Sequence, residues 1–151
     1  RQSHPIRRIV QNTNDAGAYS LRERIVAACP ADTIAFSGVL AGDTIRLVGQ
    51  EIMLSKHLVI SGLGIDLLSI SGEMNGRIFH VAPETNVQIY GLELQKGSAP
   101  VDGGAILNQG NLSLWQVRLK NNMENSTPHG LTNSGALAIK DVVIIEQDNE
   151  D

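Results

Sequence analysis

Three residues with chemically useful side chains, Tyr90, Trp115 and Lys140, recur in the sequence at an interval of about 25 residues. A second series follows them by one position and includes Gln116 and Asp141. If the interval marks a structural repeat, the two rings and the lysine lie in a line on one outer face. Exposed aromatic rings flanked by hydrogen-bonding groups stack on sugar rings or anchor a partner protein. The sequence therefore predicts a binding site for a glycan or a surface protein at these five residues.

A simpler interpretation gives the same residues a structural role. The rings of Tyr90 and Trp115 would then shield a bend of a sheet from water, and Lys140 would lie over the indole. Both interpretations place the side chains on the outside, and they differ only in whether a ligand contacts them.

The carboxylates offer an alternative chemistry, because a polysaccharide lyase or hydrolase needs clustered acids. In the repeat register Glu93 falls beside Arg118, and no column carries two acids. We expect this pair to be exposed and to contribute less than about 1 kcal/mol. We therefore predict no catalytic residue and keep, as the alternative, a carbohydrate-active enzyme with its site in Gly97–Gly104 or Met123–Gly130. The acids considered are Asp66, Glu73, Glu84, Glu93, Asp102, Asp141 and Glu146.

Composition does not indicate a cofactor, a metal or nucleic acid. The histidines, His4, His57, His80 and His129, lack ligand spacing, and the single cysteine, Cys29, completes no zinc pattern. We expect Cys29 to be a small buried hydrophobe. The net charge of −4 and the pI of about 5.5 argue against a nucleic-acid partner. From the sequence we expect no membrane-spanning segment, because no stretch is long and apolar enough, and we recognise no signal peptide in it.

The elements that would position the side chains are visible as an internal repeat. The stretches NVQIYGLELQKG, NLSLWQVRLKNN and ALAIKDVVIIEQ begin at Asn86, Asn111 and Ala136. Apolar residues at the second, fourth, seventh and ninth places predict two short strands, joined by a bend where two consecutive side chains face outward. The four apolar columns are Val87, Leu112 and Leu137; Ile89, Leu114 and Ile139; Leu92, Val117 and Val142; and Leu94, Leu119 and Ile144.

A unit of this length cannot bury its own apolar face, so copies of it must stack. One unit per turn makes equivalent strands parallel and in register about 4.8 Å apart, which predicts an all-β fold, a single-stranded parallel β-helix of roughly five coils. A third strand is expected in each turn, at residues 105–108 and 130–133. Asn108 and Asn133 would then form an asparagine ladder at a tight turn. We expect His80 to begin that ladder.

The first 30 residues are predicted to cap the stack. After a strand at residues 8–11, Ser20 and Glu23 have the spacing of a capping box that opens a helix ending near Ala28. Leu21 and Ile25 share the apolar face of this helix with Ala28, and that face would cover the end of the solenoid. We predict a single domain over residues 1–151, with a cap at 1–30, the β-helix at 31–147 and a tail at 148–151.

The last repeat is apolar on its outer face as well as on its inner one. Val143 and Ile145 stand where the earlier repeats carry polar residues such as Glu93 and Arg118. An uncovered terminal coil with this surface favours a partner, such as another copy or more of the same chain. We predict self-association through residues 136–147. A passive piece of a longer fibre is a third interpretation of the whole chain.

A family resemblance rests on the run TNDAGAYSLRERIVAACPADTIAF, which spans Thr13–Phe36. With GDTIRL, HLVISGLG, LLSISG, RIFHV and VQIYGLEL, it resembles the N-terminal part of bacterial CSLREA-type proteins of the pectin-lyase-like fold. These are secreted or surface proteins, often described as polymorphic outer-membrane or adhesin-like. The resemblance implies a right-handed coil and an extracellular or cell-surface location. We predict that the chain is a non-catalytic scaffold or adhesin-like binding module. The strongest part of the resemblance, an NDxGxxSLRxxI-like stretch, is matched by Asn14, Asp15, Gly17, Ser20, Leu21, Arg22 and Ile25.

Overall fold

The protein is a parallel β-solenoid in the computed structural model, which describes residues 5–125 and 127–146. Its strands stack in about six turns of roughly 25 residues each, together with one short α-helix. The predicted all-β solenoid is therefore confirmed. There is one turn more than the roughly five expected, because the strand at Arg7–Val10, which lies within the predicted cap, pairs in parallel with the strand at Thr33–Phe36 and is the first of the stack.

The elements follow one another around the coil in a regular order. They are β1 (Arg7–Val10), α1 (Leu21–Ala27), β2 (Thr33–Phe36), a 3₁₀ turn (Gly38–Leu40), β3 (Asp43–Arg46), β4 (Ile52–Leu54), β5 (Leu58–Ser61), β6 (Leu68–Ser71), β7 (Phe79–Val81), β8 (Asn86–Gln95), β9 (Ser98–Ala99), β10 (Ile106–Asn108), β11 (Asn111–Lys120), β12 (Met123–Glu124), β13 (Thr127–Pro128), β14 (Leu131–Asn133) and β15 (Ala136–Ile145).

Three sheets form the sides of the coil. The largest has the order β1-β2-β5-β8-β11-β15, and within it β3 pairs with β6, which in turn pairs with β8. The second has the order β14-β10-β7-β4, and the third the order β13-β12-β9. The hairpin of β12 and β13 is antiparallel, whereas β12 and β9 are parallel like the strands of the other two sheets.

In the C-terminal half of the stack, each coil has the length of the 25-residue sequence repeat. Leu114 is in register with Ile89 on one side and with Ile139 on the other. The other three columns follow the same registers, and all four are buried in β8 and β11. In β15, however, Ile139 is 58% exposed, because no strand of the described chain covers this last coil. The expectation that Ile139 lies inside the molecule is therefore wrong, although its place in the column is right.

The two halves of β8, β11 and β15 meet at a bend. The residues there, Gly91, Gln116 and Asp141, have φ angles of 73°, 53° and 55°. A left-handed residue shifts the inward and outward alternation by one position, which explains why two consecutive side chains face outward. Below Gly91 the backbone of the neighbouring coil approaches closely, and a Cβ added to Gly62 would overlap the Gly91 carbonyl oxygen.

The turn after the third strand contains stacked asparagines. Asn108 is completely buried, and its Nδ2 donates to Oδ1 of Asn133 (2.7 Å) and to the carbonyl of Ala136 (2.9 Å). Its Oδ1 accepts from the N–H of Gly110 (3.1 Å). The expectation that His80 begins this ladder is wrong by one residue, because Val81 lies beside Asn108 and His80 lies beside Leu107.

The helix α1 packs against β1 and β2 and buries Leu21 and Ile25. Its N-terminus begins at Ser20, whose Oγ accepts from the N–H of Glu23 at 3.2 Å. The Glu23 carboxylate accepts from the N–H of Tyr19 (2.9 Å) rather than from that of Ser20, so the capping box closes one residue earlier than usual. In the described part of the chain no helix is both long and apolar enough to cross a membrane.

Two charged side chains join this cap to the stack. Lys56, in the turn before β5, donates to the carbonyls at the helix C-terminus, those of Ile25, Val26 and Ala28, at 3.1, 3.0 and 2.6 Å. Asp32 is completely buried and accepts from the N–H groups of Ile6 and Cys29, both at 2.9 Å, and from Nε of Arg8 at 2.8 Å. Cys29 itself is only partly buried, contrary to expectation.

The asparagine ladder gives the first testable prediction. Asn108→Ala should lower the free energy of unfolding by roughly 2 kcal/mol, because it leaves the buried Gly110 N–H without an acceptor. Asn133→Ala, at an exposed position of the same ladder, should cost less than about 1 kcal/mol. Urea unfolding of both variants measures the difference, and equal losses would contradict the assigned roles.

The buried carboxylate gives a prediction about pH. Burial raises the pKa of Asp32, but the hydrogen bonds from Ile6, Cys29 and Arg8 outweigh it and leave the pKa below its ordinary value. A lowered pKa means that Asp32 stabilises the fold above pH 4 or so and that this stabilisation is lost as the pH falls through the folded-state value. Asp32→Asn should therefore lose about 2 kcal/mol at pH 7 and show a shallower loss on acidification.

Urea midpoints at pH 7 and pH 3 check this. Asp102→Asn, at an exposed turn, is the matched control and should unfold like the parent at both pH values. A parent and an Asp32→Asn variant with the same pH dependence would contradict the role of Asp32.

Candidate functional site

The outward side chains of β5, β8, β11 and β15 form one polar and aromatic face, which we call the outer platform. Because the strands are parallel and in register, like positions lie side by side on it. One column contains Ser61, Tyr90, Trp115 and Lys140, and another contains Val59, Gln88, Ser113 and Ala138. The structure thus brings the sequence-predicted residues Tyr90, Trp115 and Lys140 together.

The aromatic pair is in direct contact. The ring centroids of Tyr90 and Trp115 are 5.5 Å apart and the ring planes are inclined by 53°. This tilted arrangement is favourable for two quadrupoles and leaves the indole 45% exposed. In the part of the chain that the structure describes, the cation that lies over an aromatic ring is Arg24 on Tyr19, so Lys140 is beside Trp115 in register but does not cover the indole.

A groove that the sequence reasoning missed lies on the same strands, toward their N-terminal ends. It has a volume of about 420 Å³ and is lined by Ala31 and by residues of the three coils that contain β5, β8 and β11. Asn111 Nδ2 donates to Oδ1 of Asn86 (2.7 Å), and the N–H of Asn86 donates to Nδ1 of His57 (2.9 Å). The polar side chains that line it are His57, Asn86, Gln88, Asn111 and Ser113. Following the alternation back by two and four residues from Tyr90 and Trp115 would have found the last four.

The two remaining sequence-predicted residues, Gln116 and Asp141, lie at the bend. Both side chains are exposed, next to the Tyr90 and Trp115 column. Their left-handed backbone conformation forms the bend between the two halves of each strand. They lie between the aromatic column and the second half of the outer platform, which contains Glu93 and Arg118.

On the second half of the same face, an arginine ties three coils together. Arg118 Nε bonds to Oε2 of Glu93 at 2.7 Å, and its Nη1 bonds to Oδ1 of Asp66 at 3.1 Å. Its Nη2 donates to the carbonyl of Ile65 (3.1 Å). The bond to Glu93 raises the pKa of Arg118 above its usual value. Glu93 is only 7% exposed, so the pair is not the exposed one that the sequence suggested.

A third cluster lies outside the second sheet. The Glu51 carboxylate bonds to Arg77 and to Nδ1 of His80 (3.2 Å), and Nε2 of His80 lies 2.7 Å from Oε1 of Gln109. Both ring nitrogens of His80 are therefore occupied by neighbouring side chains. Arg77 also donates to backbone carbonyls of the turn at residues 101–103.

The loops considered for an enzyme site hold few acids close together. Oε1 of Glu124 accepts from the N–H of Gly103 (3.1 Å) and lies 3.8 Å from Nε2 of His129. Over residues 5–125 and 127–146, no group of three or more His, Cys, Asp or Glu side chains is arranged to hold a metal ion. Outside these loops, the carboxylates of Glu51, Asp66 and Glu93 each form an ion pair with an arginine.

A comparison with known protein families finds no matching family model, and searches of curated proteins and of solved structures find no significant match either.

The arginine cluster should stabilise the fold. Arg118→Met leaves Glu93 buried without its counter-ion and should lower the free energy of unfolding by about 2 kcal/mol or more. The double variant E93Q/R118M should recover part of this loss, because no buried charge is left unpaired; Asp66, which also loses its partner, is exposed to water. A double-mutant cycle from urea unfolding measures the coupling. Strictly additive losses would show that the pair contributes nothing as a pair.

Proposed function

We propose that this chain is a non-catalytic, adhesin-like binding module that recognises glycan through the outer platform. The contact between Tyr90 and Trp115 carries this proposal, and on the same strands the side chains two and four residues earlier line a groove with amide and hydroxyl groups. The backbone positions of this surface are fixed, because each of its strands is hydrogen-bonded to one or both of the neighbouring coils.

The chemistry of the outer platform suits a sugar chain. A pyranose ring has an apolar face of C–H groups that stacks on an exposed indole, and hydroxyl groups at its edge that need donors and acceptors. The amides of Asn86, Gln88 and Asn111 offer both donors and acceptors, as does the hydroxyl of Ser113. Equal spacing of the rows, about 4.8 Å from coil to coil, favours an extended ligand that crosses several strands.

The electrostatics favour binding over cleavage. A glycosidase uses two carboxyl groups on either side of the scissile bond, one of them free to donate a proton. Glu93 and Asp66 are held by Arg118, and Glu51 is held by Arg77 and His80. The carboxylates of Glu51 and Glu93 are therefore committed to ion pairs within the fold, which supports a binding role rather than a polysaccharide lyase or hydrolase.

An extracellular or cell-surface location is part of the proposal. It rests on the resemblance of residues 13–36 to the CSLREA-type, pectin-lyase-like proteins. Two of the residues behind that resemblance act in this structure: Arg22 bonds to the carboxylate of Asp15 (3.0 Å) and to the carbonyls of Gln50 (2.7 Å) and Glu51 (3.2 Å). The motif thus fastens the cap to the first coil, which is a reason for a β-helix of this kind to carry it.

Trp115→Ala tests the binding surface. Loss of the indole should weaken binding of a glycan selected from an array by at least about tenfold, or ~1.4 kcal/mol, because the stacking face is removed. Asn111→Ala should weaken it less, because one of several polar contacts is lost. Calorimetric titration with the selected oligosaccharide measures both.

Tyr19→Ala is the matched control, since Tyr19 is also an exposed aromatic but lies on the cap. It should bind like the parent. Thermal melting shows whether each variant remains folded. Equal affinity of Trp115→Ala and the parent would refute the glycan site, and shortening of the oligosaccharide during the titration would instead establish an enzyme.

A further inference from the structure

The open end of the solenoid has backbone groups without a strand partner on the same residues that expose apolar side chains. β15 pairs with β11 on one edge and, among the described residues, with no strand on the other. The N–H of Ala136 and the carbonyl of Ile145 bond to the coil below. Because backbone groups point to alternate edges along a strand, the intervening inward-facing residues direct theirs to the open edge. These residues are Leu137, Ile139, Val142 and Ile144.

The same residues belong to the apolar columns of the core. Ile139 is 58% exposed and Ile144 49%, whereas Leu137 and Val142 are packed in part against the buried core. A strand laid on this edge would satisfy the backbone groups and cover the ends of all four columns at once.

The sequence of β15 specifies which strand fits. Leu137 and Ile139 precede the midpoint between Lys140 and Asp141 by the same distances at which Ile144 and Val142 follow it. A second copy of β15, running antiparallel about a two-fold axis through the bend, therefore places Ile139 opposite Val142 of the other copy. Leu137 then lies opposite Ile144 of the other copy. Inward residues meet inward residues because the bend shifts the alternation by one position.

Charge and outer packing agree with this register. Lys140 lies opposite Asp141 of the second copy, and the symmetry produces this pair twice. On the outer face, Val143 lies opposite Ala138 of the second copy and Ile145 lies opposite Ala136. The apolar outer residues of the last repeat, which earlier repeats replace by polar ones, are thus matched by the two alanines.

We propose that the chain forms a two-fold dimer in which the β15 strands of two copies pair antiparallel about their bends. The arrangement extends the parallel stack of each copy through one antiparallel junction and joins the two cores. Head-to-tail stacking is disfavoured, because α1 packs on β1 and β2 at the opposite end of the solenoid. A contact that uses the same end of both copies closes at two.

Charge reversal at the bend tests the register. K140D places two acids opposite each other, D141K places two lysines opposite each other, and each should raise the dimer dissociation constant at least tenfold. The double variant K140D/D141K restores opposite charges and should dimerise like the parent. Lysine is tolerated at such a backbone position, since Lys96 has a φ of 56°. Sedimentation equilibrium over a range of concentrations measures each dissociation constant, and circular dichroism checks folding.

A cysteine pair tests the same register by chemistry. In a C29S background, A138C/V143C should form disulfide-linked dimers on oxidation, because these two residues face each other across the junction. A138C alone should form few. A parent that stays monomeric at about 100 μM, single reversals without effect, failure of the double reversal to restore dimers, or cross-linking by A138C alone would each overturn the proposal.

Discussion

Hydrogen bonding between successive coils in one fixed register is the constraint on which the structure depends. A slip of one residue between β8 and β11 would turn Leu112 and Leu114 outward. Burial of the apolar columns therefore stabilises this register against the alternatives. The outer surface inherits the same order. Tyr90 meets Trp115, Glu93 meets Arg118 and Asn86 meets Asn111 because each pair occupies one position in neighbouring coils. The proposed binding surface is therefore a consequence of core packing.

The fold could be predicted from the sequence because apolar residues repeat where strands repeat. The site could be predicted only in part. The column of Tyr90 and Trp115 follows from the interval, whereas the environment of Arg118 does not: Asp66 and Ile65 reach it from a turn more than fifty residues earlier. Turn geometry carries no periodicity, so the prediction for His80 is wrong by one residue. The prediction of an exposed Glu93 is also wrong, because the sequence does not show that Arg118 bonds to it beside a distant turn. The outward position of Asn86 and Asn111 follows from the alternation of side chains along the strands, so this row could be predicted from the sequence.

The two ends of the stack differ in whether their apolar columns are covered. At the first, α1 covers the apolar columns, Lys56 binds the carbonyls at its C-terminus, and the buried Asp32 ties together residues 6, 8 and 29. At the other, β15 leaves Ile139 and Ile144 uncovered and adds Val143 and Ile145 outside. One end is closed by α1, and the other, which no strand of the described residues covers, is the end that the proposed dimer would close. The outer platform lies along the side of the coil between them.

The central claim is that Ile89, Leu114 and Ile139 lie one above another in consecutive coils. Methyl-resolved nuclear magnetic resonance of selectively labelled protein tests it most directly. The account predicts nuclear Overhauser contacts from the Leu114 methyl groups to those of Ile89 and also to those of Ile139. Absence of either contact, in a folded protein whose methyl resonances are assigned, would contradict the stacked solenoid and the surface derived from it.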